Sequence, residues 1–158
     1  MIDKVEKLVQ TLAKMEMTIS TAESCTGGML ASKIVDVSGA SDVFNEGFIT
    51  YSNSAKSKYL NVSNEILDEY GAVSEQTVIE MAKGCKLVTT SDMSLVTSGI
   101  AGPGGGTPEK PVGLVYIACA YKDNIMAKSF RFDGDRHDVR CQAVEEAINM
   151  ALNMLENH

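Results

Sequence analysis

Near the start of the chain, Val5, Leu8, Val9, Leu12 and Ala13 fall at i, i+3, i+4 and i+7 spacing, which predicts an amphipathic helix over residues 3–16. Asp3 in front of it and Glu6 three residues on read as its capping pair. The pattern then changes: Met17 to Ala22 is rich in Thr and Ile, enters Ser24-Cys25-Thr26-Gly27-Gly28, and gives way to a second helical stretch through Val35. That is a strand, a tight turn and a helix. Val43 to Tyr51 has β-forming composition, and Ser52 to Leu60 reverts to helix. Ser74 caps a further helix whose Val78, Met81, Ala82, Cys85 and Val88 share one face. Met93 to Ile100 reads as a buried strand running into a glycine-rich loop, Ala101 to Thr107. Gly113 to Tyr121 and Ile125 to Phe132, joined across Lys122-Asp123-Asn124, read as an antiparallel hairpin. A last helix from Asp135 buries Val139, Ala143, Val144, Ala147, Met150 and Met154. Strands alternating with helices, plus one hairpin, predict an α/β fold, a three-layer α/β/α sandwich around a mixed central sheet.

The chain has 158 residues, read as one domain over 1–158 with a core large enough to need neither disulfides nor metal. Fourteen Lys and Arg against 21 Asp and Glu give a net charge of −7. That sign opposes generic binding to nucleic acid or to an anionic membrane, so an anionic ligand needs a local, built pocket. Cys25, Cys85, Cys119 and Cys141 are scattered and form no C-x-x-C pair, which fits a reducing, cytoplasmic setting. No apolar run approaches the ~18 residues of a membrane span.

Chemistry concentrates where strands feed loops or helices. In Ala22-Glu23-Ser24-Cys25-Thr26-Gly27-Gly28 a serine stands at a strand-to-helix turn, and the amides of Cys25, Thr26 and Gly27 could serve as an oxyanion hole. The same segment also reads as a helix cap with glycines for close packing. Only two histidines are present, His137 and the terminal His158, so a base is scarce. Lys56, following Tyr51 across Ser-Asn-Ser-Ala, is the alternative, provided that burial lowers its pKa; otherwise it is a surface lysine. Cys25 is a rival thiol nucleophile, although adjacent side chains diverge. The glycine-rich stretch is neither a P-loop nor a dinucleotide fingerprint, yet its amides around Gly102, Gly104, Gly105, Gly106 and Thr107 could hold an anion. Arg136 and Arg140, one helical turn apart near a helix N-terminus, are either an anion site or partners of Asp133, Asp135 and Asp138.

Taken together, A-E-S-C-T-G-G (22–28), Y-S-N-S-A-K (51–56), G-A-V-S-E (71–75), S-G-I-A-G-P-G-G-G-T-P-E-K-P-V-G (98–113) and G-D-R-H-D-V-R (134–140) resemble the CinA C-terminal domain family, whose enzymatic members are nicotinamide-nucleotide amidohydrolases. The resemblance runs in order over nearly the whole chain. It implies hydrolysis of the carboxamide of nicotinamide mononucleotide to nicotinate mononucleotide and ammonia, in pyridine nucleotide salvage. It also implies a Ser-Lys hydrolase without metal or cofactor: Ser24 as nucleophile, Lys56 as general base, and Tyr51 as proton relay or lysine-positioning group. For the substrate phosphate and ribose we expect Arg136, Arg140 and the loop around Gly104 to Thr107. A homodimer or higher assembly is expected by the same resemblance. Many longer relatives carry an N-terminal domain for which 158 residues leave no room, so the expectation is a stand-alone amidohydrolase domain. The competing class is a non-catalytic nucleotide-binding or competence-associated module of the same fold.

Overall fold

The β-rich runs assemble into one sheet. The computed structural model describes residues 1–158, with strands β1 (Ile19–Glu23), β2 (Phe44–Ile49), β3 (Met93–Gly99), β4 (Leu114–Tyr121) and β5 (Asn124–Arg131) in the order β2-β1-β3-β4-β5. β1 pairs in parallel with both β2 and β3, while β4 pairs antiparallel with both β3 and β5, so the sheet is mixed. The helices are α1 (Lys4–Lys14), α2 (Met29–Val35), α3 (Asn53–Leu60), α4 (Asn64–Tyr70), α5 (Glu75–Thr89) and α6 (Arg136–Asn157).

Side-chain alternation along the strands divides the core in two. Ile19, Met93, Leu95, Val115, Ile117 and Cys119 point into a layer completed by α1, α2 and α6. Ala22, Val96, Ala118 and Ala120, on the other face, meet α5 together with Leu60, Val62 and Leu67 from the α3–α4 region. The result is the three-layer α/β/α sandwich. Small residues on this second face let α5 approach the sheet closely.

The parallel pairs put the carboxyl ends of β1, β2 and β3 at one edge, and the chain leaves β1 toward β2 on one side and reaches β3 on the other. Such a switch in strand order opens a crevice beyond the strand ends. The turn after β1, the β2–α3 connection and the long loop after β3 all meet there.

Two local details differ from the sequence pattern. Asp3 stands at the N-cap of α1 but its side chain makes no capping bond; its carboxylate lies 3.7 Å from Lys33 Nζ instead. Helix α4 has no counterpart in the hydrophobic pattern, because its seven residues bury only Leu67, too few for a visible period; Ser63, which accepts from the amides of Glu65 and Ile66, is its sequence signal.

Where α5 crosses the end of α3, Gly84 is a requirement of contact rather than of backbone conformation: a Cβ there would sit 1.8 Å from the Leu60 carbonyl oxygen. Replacing an interior helical glycine by alanine ordinarily stabilises by about 1 kcal/mol. Here Gly84→Ala is expected to destabilise by about 2–3 kcal/mol through overpacking. A urea midpoint at or above that of the wild type would contradict this packing.

Candidate active site

Ser24 is the first residue beyond β1, and its amide donates to the Thr97 carbonyl on β3 at 3.0 Å. It is 8% exposed and lines a cavity of about 280 Å³ at the sheet edge. The turn that follows needs glycine twice over, since Gly27 and Gly28 both take positive φ, +56° and +101°. The amides of Cys25 and Thr26 donate to no other residue, that of Cys25 facing only its own thiol, whereas that of Gly27 donates to the Ser24 carbonyl at 3.1 Å. Gly27 therefore drops out as an oxyanion donor: the tight turn that exposes the serine consumes its N–H.

Cys25 diverges from Ser24. Its side chain belongs to the core layer under α2 and α6, and burial pushes the thiol up to about 11. A thiol held protonated is a poor nucleophile. Cys85 and Cys119 are also buried, with thiols pushed to about 11 and about 12.

Lys56 falls on the inner face of α3, a helix started by Ser52, whose hydroxyl accepts from the Ala55 amide. Its Nζ lies 3.2 Å from Ser24 Oγ and 2.7 Å from the Thr50 carbonyl oxygen. The residue is fully buried, and no carboxylate pairs with it. Desolvation accordingly lowers its pKa from 10.5 to about 8. A neutral amine in this position can donate to Thr50 and accept the Ser24 O–H.

Tyr51 stands elsewhere than expected. It is 61% exposed at the mouth of the Ser24 cavity, and its hydroxyl accepts from Arg136 at 3.0 Å rather than meeting Lys56. The backbone carbonyl of Thr50, one residue earlier, holds the lysine. Composition carries no signal for such a backbone contact.

Arg136 also donates to the Gly102 carbonyl at 2.8 Å and so ties the glycine-rich loop to the β2–α3 connection. Gly102, Gly104 and Gly105 line the Ser24 cavity, with Ala72 and Val73 from the 71–75 motif. Gly106 and Thr107 do not: Thr107 closes a turn, its amide donating to the Lys110 carbonyl and its hydroxyl accepting from the Lys110 amide. Arg140 spends two donors on the carbonyls of Cys25 and Thr26, at 3.0 and 2.9 Å, and borders a second cavity of about 470 Å³ across Arg136. Neither arginine has a carboxylate partner, because Asp135 and Asp138 cap α6 reciprocally. Asp135 is held below the usual carboxylate range by the Asp138 amide.

Sequence reasoning missed Glu23. This carboxylate, 1% exposed, accepts from Thr26 Oγ1 at 2.6 Å and from the amides of Leu30 and Ala31 at 2.8 and 3.2 Å. Its signal was a charge inside an otherwise fully buried strand.

The family model described as the CinA C-terminal domain matches residues 2–155. A CinA-like protein of Kosmotoga olearia is 51% identical over 150 residues, covering 95% of this chain and 36% of that protein. The chain thus spans little more than a third of the length of the curated relatives it matches. Among solved structures, a competence-damaged protein (CinA) superfamily protein from Klebsiella pneumoniae superposes with a TM-score of 0.94 at 33% identity, over 98% of this chain and 97% of that one. The competence/damage inducible protein CihA from Agrobacterium tumefaciens gives 0.90 at 37% identity, over 96% of each.

Burying Lys56 has a price in stability whose sign follows from its two pKa values. Below about pH 8 the unfolded chain, with a lysine at 10.5, binds the proton more tightly than the folded one. The folded state is penalised there, and the penalty fades as pH rises from about 8 to 10.5. Lys56→Met is therefore expected to raise the unfolding free energy at pH 7 by roughly 1–3 kcal/mol. Urea titrations at pH 7 and pH 10 should show the gain shrinking, and an equal gain at both would place its origin elsewhere.

Proposed function

The chain belongs to the CinA C-terminal domain family, and from that premise we propose that it is a nicotinamide mononucleotide deamidase working through Ser24 and Lys56. The observation that carries this reading is the buried amine of Lys56, 3.2 Å from Ser24 Oγ and without a carboxylate, beside a cavity that Ser24 lines. Nucleophile, base and free amides meet where the carboxyl ends of the parallel neighbours β1 and β2 lie side by side.

In the proposed cycle, Ser24 Oγ attacks the carboxamide carbon while its proton passes to Lys56 Nζ. The oxyanion takes hydrogen bonds from the amides of Cys25 and Thr26, neither of which donates to another residue. The tetrahedral species collapses as the C–N bond breaks, and Lys56 returns its proton to the departing nitrogen, which leaves as ammonia. Water, deprotonated by the same lysine, then attacks the ester carbon; the C–Oγ bond breaks as Lys56 passes that proton to Ser24 Oγ, and the acid product leaves as its carboxylate, its own proton going to solvent. A base near pH 8 suits both directions of proton transfer.

The rest of the substrate meets the mouth. Arg136 and Arg140 each commit two of a guanidinium's five N–H groups to the protein, which leaves donors for a phosphate. Tyr51 takes part here through Arg136, in place of the relay role expected from the motif. Gly102, Gly104 and Gly105 supply a wall without side chains.

With nicotinamide mononucleotide as substrate, Ser24→Ala and Lys56→Ala are expected to lower ammonia release at least about a thousandfold. In the wild type, kcat/KM should rise about tenfold per pH unit up to about pH 8 and level off above it, as the amine of Lys56 loses its proton. Near-normal turnover by either variant would sink the assignment. Calorimetric binding of the nucleotide with no ammonia released would favour a non-catalytic module. A second prediction concerns the mouth: Arg136→Ala should raise KM about tenfold with a smaller change in kcat, and an unchanged KM would move the phosphate site elsewhere.

A further inference from the structure

We propose that Glu23 is a positioning residue for this chemistry: its carboxylate fixes the turn that carries Ser24 and keeps the Cys25 and Thr26 amides free and aimed. The proposal rests on the reading above. It starts from a buried charge that has no cation partner. Such a group is costly unless several donors compensate it, and three do: Thr26 Oγ1, Leu30 N and Ala31 N.

Helix α2 begins at Gly28, which has no side chain with which to cap it. Glu23 does that work from the strand, accepting the amides of the second and third helical residues. One end of the 24–28 turn is thus fastened directly to the other. Thr26, held by Glu23, is gripped a second time by Thr97 Oγ1 at 2.7 Å, and Thr97 also accepts the Ser24 amide. The nucleophile and the residue that follows Cys25 are therefore referenced to the same residue of β3.

Alternation along β1 adds a second consequence. Glu23 faces α2, whereas Ser24 turns to the opposite side and meets Lys56 of α3. The carboxylate organises the turn without sharing a face with the amine, and it is absent from the groups that perturb Lys56. Its removal should act on the rate through geometry and leave the base untouched.

The test compares wild type with Glu23→Gln, which keeps the shape but presents an NH₂ group to one of the two helix amides. With nicotinamide mononucleotide, kcat is expected to fall about tenfold to hundredfold, with KM within about threefold and the acid limb of the pH profile unmoved. The rate at which a fluorophosphonate probe labels Ser24, read by intact mass, should fall in parallel. If the variant does not accumulate as folded protein, Thr26→Val, which removes one of the three donors and keeps the volume, should lower kcat about threefold to tenfold. Folded Glu23→Gln with wild-type kcat and labelling would overturn the proposal, as would a displaced acid limb, which would mean that Glu23 acts on Lys56. A wild type that labels at Ser24 but hydrolyses no nucleotide would refute the substrate and leave the labelling comparison to decide the role of Glu23. A wild type that does neither overturns both.

Discussion

An amine without a counterion is the constraint around which this structure is arranged. Lys56 is taken out of water completely, given one backbone carbonyl and one hydroxyl, and denied a carboxylate. Pairing it with an acid would stabilise the fold and hold the proton in place, at odds with the base role proposed for it. The protein accepts the cost of desolvation, and the buried layer between the sheet and α3 and α5 has to supply the compensating packing. The small residues Ala22, Ala118 and Ala120 on that face, and Gly84 against the end of α3, are what allow the helices to close over it.

The arrangement depends on strand parity as much as on position. Glu23 and Ser24 are neighbours in sequence, yet the sheet sends one side chain to α2 and the other to α3. A buried acid and a buried lysine can then both serve this one turn without forming an ion pair. Both polar side chains are satisfied by groups of their own face. A one-residue slip in the β1 register would exchange the two, setting the carboxylate beside the lysine and the serine beneath α2. The pairing of Glu23 with Ile49 on one side and Thr97 on the other fixes that register.

Much of this was legible from the residues. The strand–turn–helix of 17–35, the hairpin of 113–132 and most of the faces of α1, α5 and α6 follow from periodic segments in which burial and sequence agree; Ala13 and Val88, each next to its helix's last residue, stay exposed instead. So did the meeting of Ser24 with Lys56, because two consecutive β-strands that both end in chemistry-bearing residues can be parallel neighbours. What escaped was local. Helix α4 buries a single residue, and Gly27 loses its amide to a turn bond that only the conformation reveals. The Thr50 carbonyl takes the lysine-holding duty expected of Tyr51, a backbone contact to which composition gives no clue, and Tyr51 holds Arg136 instead. Asp135 and Asp138 looked like partners for the arginines and instead cap the helix on which those arginines stand.

That last exchange bears on how an acidic chain could handle an anion. With a net charge of −7, long-range attraction opposes a phosphate, and screening confines any help to about 10 Å. Arg136 and Arg140 answer this by being free of carboxylates and anchored through neutral acceptors: a tyrosine hydroxyl and three backbone carbonyls. Neutral acceptors orient a guanidinium while leaving its charge uncancelled. They also make each arginine a strut, Arg136 between the glycine-rich loop and Tyr51, Arg140 across the Cys25–Thr26 turn. An anion arriving between them would therefore engage groups already fixed to both walls of the site and to the turn that carries Ser24, so the attraction needed against the overall charge is concentrated where position matters.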